Sequence, residues 1–182
     1  MKIIGEEIPY EGKFISVREI HFEGRDGRHG VWEAVKRKTF GKIVAICALT
    51  KNHEVILEKA FRIPLNSYII ELPAGLMDKK GEDPKDTIRR ELLEETGYEV
   101  KDVELLVEGP FNAGMVADEL QVFFGENAEK VREPELESAE DIEVILVPVE
   151  RLFHFLKHPP EGCKVDIKTF NLIPFLQEKG IL

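Results

Sequence analysis

Residues 90–97 read RELLEETG, and this short stretch contains the glutamates Glu91, Glu94 and Glu95. On a helix, their i, i+3, i+4 spacing places the three carboxylates on one face. Like charges at these separations destabilise an isolated helix unless a positive partner lies among them. Mg²⁺ prefers oxygen ligands and is usually held by a few carboxylates together with the phosphates of a substrate. The stretch therefore favours a cation site over the alternative, a solvated acidic helix face in a chain of which 33% is charged.

The neighbouring residues predict a helix over residues 84–96. Asp83 can cap its N-terminus, Pro84 suits the first helical position, and Gly97 supplies a left-handed end. Ahead of the helix, residues 71–82 read ELPAGLMDKKGE, which predicts the end of a strand followed by a loop bounded by glycines. The prediction is a loop and a helix with acidic residues at both ends.

This loop and helix resemble the Nudix box, the signature of hydrolases that cleave nucleoside diphosphates linked to another group. The matching residues are Gly75, Glu82, Arg90, Glu91, Leu92, Glu94, Glu95 and Gly97. The chain departs from the family pattern by one additional residue between Gly75 and Glu82. We expect this residue to bulge within residues 78–81, where Lys79 and Lys80 can face water.

The wider chain is similar to the ADP-ribose pyrophosphatase branch of this family. The similar segments are residues 12–17, 31–37, 61–62, 71–75, 140–144 and 166–169. The resemblance implies an α+β Nudix fold, in which a mixed β-sheet is sandwiched between helices and an N-terminal antiparallel β hairpin is used in dimerisation. It divides the chain into an N-terminal β hairpin region with dimerisation and nucleotide contacts, residues 1–40, and a Nudix hydrolase domain, residues 41–182.

Hydrophobic patterning predicts most of the strands. Alternation in residues 14–20 and 31–38 predicts a hairpin around a turn at residues 24–30. Apolar runs at residues 43–49 and 54–60 predict two buried strands. Further strands are predicted at residues 103–108, 120–124 and 142–147, and further helices at residues 149–157 and 167–179. Pro174 should kink or shorten the last helix.

Composition limits the function classes. The chain of 182 residues has a net charge of −10 at pH 7, so we expect no nucleic acid partner, because displacing phosphate counterions requires a basic surface. Much of the negative charge lies in residues 126–141, which predicts a solvated loop. Cys47 and Cys163 lack metal-type spacing, and residues 1–11 do not resemble a signal peptide. No stretch is apolar for the length of a membrane span, so we expect a cytoplasmic protein with reduced thiols and no membrane partner.

The acidic helix face predicts the metal ligands. We expect Glu91, Glu94 and Glu95 to hold Mg²⁺, or alternatively Mn²⁺, bridging to the diphosphate of a substrate. The resemblance adds the backbone carbonyl of Ala74 to this set of ligands.

Three arginines lie near the predicted site in the sequence. Arg90 can bind a carboxylate such as Glu82 with two guanidinium nitrogens, which would fix the acidic cluster. Arg89 is expected at the surface. Arg62, just after a strand, is a candidate for binding the substrate phosphate, and a salt bridge between chains is the alternative.

Attack of water on phosphorus requires a base or a second metal ion. Glu91 is a catalytic candidate on the helix, although metal binding can occupy its carboxylate. The resemblance implies a glutamate from the loop ahead of the strand at residues 142–147, and Glu140 is the best match by position. Glu137 and Asp141 remain alternatives.

Two aromatic residues of the N-terminal region are candidates for binding the base. The resemblance implies aromatic faces that sandwich adenine, and Trp32 and Phe14 lie in the matching segments. Stacking on an aromatic side chain contributes on the order of 1 to 3 kcal/mol per base. Packing in the core or in a dimer interface is the alternative for both residues.

The substrate expected from the resemblance is ADP-ribose, cleaved to AMP and ribose 5-phosphate. The branch carries a Ser-Pro-Gly turn after the box, whereas Ala113 stands in the place of the proline here. GDP-mannose or another nucleoside diphosphate sugar therefore remains an alternative substrate. A sensor that binds a nucleotide sugar without turnover is an alternative from another class, which all three helix glutamates and the absence of an added output domain in this sequence disfavour.

Overall fold

The N-terminal residues form a small antiparallel sheet of their own. The computed structural model describes residues 1–39 and 42–182. The strands of this sheet are β1 (Lys2–Glu11), β2 (Ile15–Glu23) and β3 (His29–Arg37). β2 and β3 pair as the predicted hairpin, and the Gly24 N–H donates to the Arg28 carbonyl at 2.7 Å in the turn. β1 pairs with the other edge of β2, so the predicted hairpin is part of a sheet with three strands.

The sequence did not predict β1, because neither face of this strand is buried. Every side chain from Lys2 to Glu11 is exposed in the single chain, so apolar and charged residues do not sort onto two faces as they do in a half-buried strand. The predicted boundary between the two regions falls between residues 40 and 41, which lie outside the described residues.

The second sheet is mixed and larger. Its strands are β4 (Ile43–Thr50), β5 (Glu54–Arg62), β6 (Ser67–Glu71), β7 (Ala74–Leu76), β8 (Tyr98–Glu99), β9 (Glu104–Pro110), β10 (Glu119–Lys130), β11 (Ile142–Pro148) and β12 (Cys163–Val165). The main path runs β12-β6-β5-β4-β10-β8, while β11 pairs with β5, β7 with β4 and β9 with β10. The pairs β4–β10 and β6–β12 are parallel, and the others are antiparallel.

Helices cover both faces of this sheet. They are α1 (Pro84–Thr96), α2 (Leu152–Lys157) and α3 (Leu172–Glu178), with 3₁₀ turns at Ile63–Leu65, Val149–Arg151 and Ile167–Asn171. Alternate residues of β4 pack on opposite sides: Ile46 lies in one core cluster with Ile88 of α1, and Cys47 lies in the other with Leu152 of α2 and Leu176 of α3. The predicted mixed sheet between helices is therefore confirmed.

The sequence predicted α1 correctly at both ends. The Asp83 side chain accepts a hydrogen bond from the Lys85 N–H at 2.8 Å, as an N-cap does. Gly97 ends the helix with a φ of 76°. Because both signals are local, they specify the helix without reference to the rest of the chain.

Two other predictions need correction. Residues 126–130 were predicted to be loop but belong to β10, where Glu129 and Lys130 pair with β8 and carry their charges on an exposed strand. The two C-terminal helices are shorter than predicted because each follows a 3₁₀ turn. Pro174 lies in the first turn of α3, where its missing N–H needs no partner. Within the described residues, no helix has the length and apolarity needed to span a bilayer.

Candidate active site

α1 lies against the short strand β7, and the contact has no room for a side chain at Gly75. A Cβ atom on Gly75 would lie 2.1 Å from Cδ of Glu91, far inside van der Waals distance. The intervening loop exposes Lys79 and Lys80 and passes through Gly81 with a φ of 80°, so the additional residue is accommodated at the surface. Glu91 is therefore held between its own helix and the backbone of β7.

Arg90 is the cationic centre of the acidic cluster. Its Nη1 donates to Oε2 of Glu94 at 2.8 Å, and its Nε donates to Oε1 of Glu82 at 3.3 Å. Its Nη2 lies 2.9 Å from Oε1 of Glu91 and 3.5 Å from Oδ1 of Asp78. The expected contact with Glu82 is present as one hydrogen bond rather than two, because a single guanidinium is shared among these carboxylates.

The Arg90 guanidinium affects the pKa values of its neighbouring carboxyl groups to different extents. Its hydrogen bond lowers the pKa of Glu82. Burial raises the pKa of Glu91 to about 7, which Arg90 opposes and the charge of Glu94 reinforces. Glu91 consequently retains an affinity for protons near neutral pH, which a cation beside it would remove.

Glu95 is the most enclosed carboxylate of the helix trio. Its side chain is buried, and its Oε2 accepts a hydrogen bond from the Ala74 N–H at 3.1 Å. Burial and the nearby charge of Glu58 raise the pKa of Glu95. Ala74 therefore lies beside the trio, as its predicted role as a ligand requires.

The helix trio does not form a closed ligand cage in this structure. Among the described residues, the group whose ligand atoms all lie within 4.8 Å of one another is Glu7, Glu19 and His21 on the exposed N-terminal sheet. Glu94 instead bonds to Arg90, and Glu95 accepts a hydrogen bond from the Ala74 N–H. The like charges are thus separated by internal partners.

Two glutamates beneath the helix were not singled out by sequence analysis. Glu58 of β5 is 1% exposed and pairs directly across the sheet with Glu71 of β6, which is 8% exposed. Arg62 donates from Nε to Oε1 of Glu71 at 2.7 Å. Burial raises the pKa of Glu58 and of Glu71, while Arg62 opposes both rises. The signal in the sequence was a glutamate directly after Val55–Leu57, inside a strand predicted to be buried.

Arg62 has a partner within its own chain. The predictions for it were a substrate phosphate or a salt bridge between chains, and its salt bridge here is with Glu71. Its side chain remains 49% exposed, so part of the guanidinium faces the cleft described below.

The loop before β11 brings Glu140 towards this cluster. Ile142 pairs with Ala60 of β5, and the charge of Glu140 contributes, after burial, to raising the pKa of Glu58. Glu140 accepts a hydrogen bond at Oε2 from the Glu137 N–H at 2.7 Å. Asp141, by contrast, accepts a bond from the Tyr68 hydroxyl at 2.7 Å, on the exposed surface. Among the loop residues Glu137, Glu140 and Asp141, Glu140 is the one whose charge acts on the buried Glu58.

A cleft with a volume of about 780 Å³ opens beside the cluster. Its lining includes Arg62, Glu71, Ala74 and Gly75 together with Phe111, Lys168 and Phe175. Its volume lies in the range of about 300 to 1,000 Å³ that small-molecule sites occupy. The lining therefore combines Glu71 and the two β7 residues that lie beside Glu91 and Glu95 with apolar side chains and a cation.

Trp32 and Phe14 lie outside this cleft. Trp32 donates from Nε1 to the Gly114 carbonyl at 2.9 Å and lines a separate cavity of about 420 Å³ with Met115. The loop between β9 and β10 runs between the two cavities, since Phe111 lines one and Gly114 the other. Phe14 is 70% exposed, and the Lys13 ammonium lies 4.8 Å from its ring centroid.

The residues present are compatible with a divalent cation. The donors on and below α1 are carboxylate oxygens, the ligand type that Mg²⁺ and Mn²⁺ prefer. Arg62 and Arg90 are outnumbered by the glutamates around them, and Oε1 of Glu58 is buried without a hydrogen-bond partner. The region thus has more carboxylate groups than cationic groups, and one buried carboxylate oxygen lacks a hydrogen-bond partner.

Known proteins are similar to this chain in sequence and in fold. The model of a family described as "NUDIX domain" matches residues 39–166. An ADP-ribose pyrophosphatase of Bacillus subtilis is 34% identical over 183 residues, which cover 100% of this chain and 95% of that protein. A GDP-mannose pyrophosphatase of Cronobacter sakazakii is 29% identical over 198 residues, with coverages of 100% and 97%.

A solved structure described as "Crystal structure of ADP compounds hydrolase" superposes with a TM-score of 0.82 at 18% sequence identity, covering 100% of this chain and 96% of that one. At that sequence identity, the superposition shows only that the two proteins share a fold. Family membership is shown by the family match over most of the chain and by the relative that is similar over its full length. This chain belongs to the NUDIX domain family.

Proposed function

We propose that this protein hydrolyses the pyrophosphate bond of a nucleoside diphosphate sugar in a reaction that requires a divalent metal ion. The substrate we favour is ADP-ribose, which would yield AMP and ribose 5-phosphate. The observation that carries the proposal is the acidic face of α1, organised by Arg90 and packed against β7, whose residues Ala74 and Gly75 line a cleft of about 780 Å³. The family and the names of the full-length relatives support it.

Glu91, Glu94 and Glu95, with the Ala74 carbonyl, are the residues that would hold Mg²⁺ or Mn²⁺. When bound, such an ion neutralises the diphosphate oxygens and lowers the pKa of a coordinated water. Arg90 and Glu82 act as positioning residues, because their hydrogen bond and the contacts of Arg90 with the helix carboxylates fix the cluster.

Arg62 and Glu140 would act on the substrate side. The exposed part of the Arg62 guanidinium can bind a phosphate oxygen while Nε stays bound to Glu71. Glu140, at the edge of the cluster, would accept the proton of the attacking water, with Glu91 as the helix-borne alternative. Glu137 and Asp141 are less suited, because Glu137 is exposed and Asp141 is bound to Tyr68.

Trp32 is the residue that favours an adenine nucleotide. Its hydrogen bond to Gly114 fixes the edge of the indole, while 52% of the residue stays exposed for stacking. Phe14 would add a second aromatic face. GDP-mannose remains the alternative substrate, because Ala113 replaces the proline of the branch and a GDP-mannose pyrophosphatase is among the full-length relatives.

The N-terminal sheet would join two copies of this chain. Neither Trp32 nor Phe14 lines the main cleft of its own chain, so a partner subunit is needed to bring an aromatic face and the acidic cluster onto one substrate. We place the reaction in the cytoplasm, where the free thiols of Cys47 and Cys163 remain reduced.

A panel of nucleoside diphosphate sugars incubated with Mg²⁺ tests the proposal. We expect release of AMP from ADP-ribose, with little release of GMP from GDP-mannose. Turnover of GDP-mannose alone would select the alternative substrate. Tight binding of ADP-ribose by calorimetry without any release would instead identify a sensor, and absence of both would contradict the proposal.

A further inference from the structure

Arg37 is the last residue of β3, and it lines the main cleft of its own chain together with Arg62. It is not among the residues with a role in the proposed reaction. We propose that Arg37 is a second phosphate-binding residue, whose guanidinium binds the diphosphate of the substrate together with that of Arg62. This inference rests on the proposed function, because it takes a nucleoside diphosphate as the ligand.

The two arginines are held in the same way. Nε of Arg62 donates to Oε1 of Glu71 at 2.7 Å, and Nε of Arg37 lies 3.1 Å from Oδ2 of Asp118. The carboxylate side chains are 10% and 11% exposed, whereas those of Arg62 and Arg37 are 49% and 44% exposed. Each carboxylate thus fixes Nε from the protein side, and Nη1 and Nη2 are the nitrogens that can bind a phosphate in the two-pronged manner of a guanidinium.

The loop before β10 sets the position of Arg37. The Val35 N–H donates to the Met115 carbonyl at 2.8 Å, and the Ala117 N–H donates to the Val35 carbonyl at 3.2 Å. The Arg37 N–H donates to Oδ1 of Asp118 at 3.5 Å. The backbone and the side chain of Arg37 are therefore both tied to the same aspartate, which limits the freedom that the guanidinium would lose on binding an anion.

The strand order brings this arginine to the part of the cleft that contains Ala74. β10 begins at Glu119, directly after Asp118, and pairs with β4 from the first residue of β4 onwards. The same end of β4 pairs on its other side with β7, which contains Ala74. The cleft beside this predicted metal ligand is thus lined by one guanidinium from β3 and one from the end of β5.

The ion pair of Arg37 contributes little to holding the loop. Backbone hydrogen bonds already join Val35 to Met115 and Ala117. An ion pair whose arginine is 44% exposed adds little to folding stability. Binding of an anion therefore accounts for a guanidinium in the cleft better than stability does.

The acidic side chains of the cleft do not compete with a phosphate for Arg37. Among the described residues that line the cleft, each acidic side chain has a cationic partner other than Arg37. These pairs are Glu71 with Arg62, Glu108 with Lys42, and Asp166 with Lys168.

Two variants separate phosphate binding from a structural role. Arg37→Gln removes the guanidinium and leaves the Asp118 carboxylate without its partner. The double variant Arg37→Gln with Asp118→Asn removes both charges, so it keeps the net charge and leaves no unpaired carboxylate. Binding of inorganic pyrophosphate with Mg²⁺ is measured by calorimetry. Trp32 is the single tryptophan of the chain and bonds to Gly114, so its fluorescence reports whether the loop stays in place.

We expect both variants to bind pyrophosphate about 10-fold or more weakly than the wild type, as for loss of a hydrogen bond to a charged group. The fluorescence and the unfolding temperature of the double variant should stay at the wild-type values. Arg28→Gln is the matched control and should keep the wild-type affinity. Arg28 lies in the turn before β3 with its side chain 88% exposed, and its Nε donates to Oδ2 of Asp26 at 2.6 Å.

Unchanged pyrophosphate affinity in Arg37→Gln would overturn the inference, and so would absence of pyrophosphate binding by the wild type. Recovery of affinity in the double variant would also overturn it, because the unpaired Asp118 carboxylate would then have caused the loss. If Arg37→Gln does not fold, the double variant decides between the same two outcomes. Hydrolysis of ADP-ribose by the wild type, with equal pyrophosphate affinity in Arg37→Gln, would refute the inference alone. Pyrophosphate binding by the wild type without hydrolysis of any nucleoside diphosphate sugar would refute the proposed function instead.

Discussion

Glu94 is the most exposed member of the helix trio, with 39% of its side chain exposed and one oxygen bound to Arg90. Replacing Glu94 by Gln removes its charge with little change in shape, so the fold should persist. We expect kcat to fall on the order of 100-fold, as for strong disruption of a metal site. Hydrolysis of ADP-ribose with Mg²⁺ and the unfolding temperature provide the measurements.

Asp86→Asn is the matched control for Glu94→Gln. Asp86 lies on the same helix with its side chain 66% exposed and forms a surface pair with Arg89. This control should keep wild-type kcat. Near-normal activity in Glu94→Gln would contradict the assignment of Glu94 as a ligand.

Glu91 should make the metal-free protein less stable as the pH rises. Burial raises its folded-state pKa to about 7, above its ordinary value of 4.5, so the folded state binds the proton more tightly than the unfolded state does. The resulting destabilisation is absent below pH 4.5 and fully developed above about pH 7. In EDTA, Glu91→Gln should therefore unfold at a higher temperature than the wild type at pH 8, and the difference should shrink at pH 5.

Mg²⁺ should reverse the order at pH 8, because only the wild type has the Glu91 carboxylate to bind it. Unfolding scans at both pH values, with EDTA or Mg²⁺, check this prediction. An advantage of Glu91→Gln in EDTA that is the same at both pH values would show that Glu91 does not titrate in this range.

Trp32→Ala should raise KM for ADP-ribose about 10-fold, corresponding to stacking energy of roughly 1.4 kcal/mol. The effect on free pyrophosphate should be much smaller, because pyrophosphate has no base. Trp32→Phe keeps an aromatic face and loses the bond to Gly114, so it should have an intermediate KM. Equal increases for both substrates would indicate that Trp32 acts in packing.

At the scale of elements, the contact between β7 and α1 decides where the acidic face lies. Gly75→Ala would place a Cβ 2.1 Å from Cδ of Glu91, which can be relieved only by moving the side chain or the helix. We expect weaker Mn²⁺ binding and lower kcat for this variant, with both measured on the same preparation. Gly5→Ala is the control, because its Cβ would meet atoms no closer than 3.8 Å. Wild-type metal affinity in Gly75→Ala would show that the contact is not needed.

Elements were predictable to the extent that their signals are local. Asp83 and Gly97 mark the ends of α1, and both act within a few residues of the chain. β1 and the last residues of β10 are among the strand segments that were missed, because their pairing partners lie elsewhere in the sequence and their side chains are mostly exposed. A strand without a buried face has no periodic pattern for sequence analysis to detect.

At the scale of the whole molecule, the N-terminal sheet exposes more apolar surface than a monomer needs. Its exposed large hydrophobic residues include Ile3, Ile4, Ile8, Tyr10, Phe14, Val31 and Trp32. Such a surface is typical of an interface. Sedimentation should therefore give twice the chain mass of 20.8 kDa.

Replacing Ile3 and Ile8 together by Lys should produce a monomer. Each subunit would then have to bury two unpaired charges in the interface, which is unfavourable. Val131→Lys is the control, since Val131 is 50% exposed and lies outside the N-terminal sheet. A wild-type monomer at micromolar concentration would contradict the dimer, and so would an unchanged mass for the double variant.

The sequence by itself determined the helix, its three carboxylates and the class of chemistry, because helix periodicity and capping operate over a few neighbouring residues. Only the tertiary structure decided that Glu58 pairs with Glu71 across the sheet and that Trp32 bonds to Gly114, which is 82 positions away along the chain. The pairing of distant strands creates these contacts, and burial then sets the charge state of each carboxyl group. Neither effect has a signature within a short stretch of sequence.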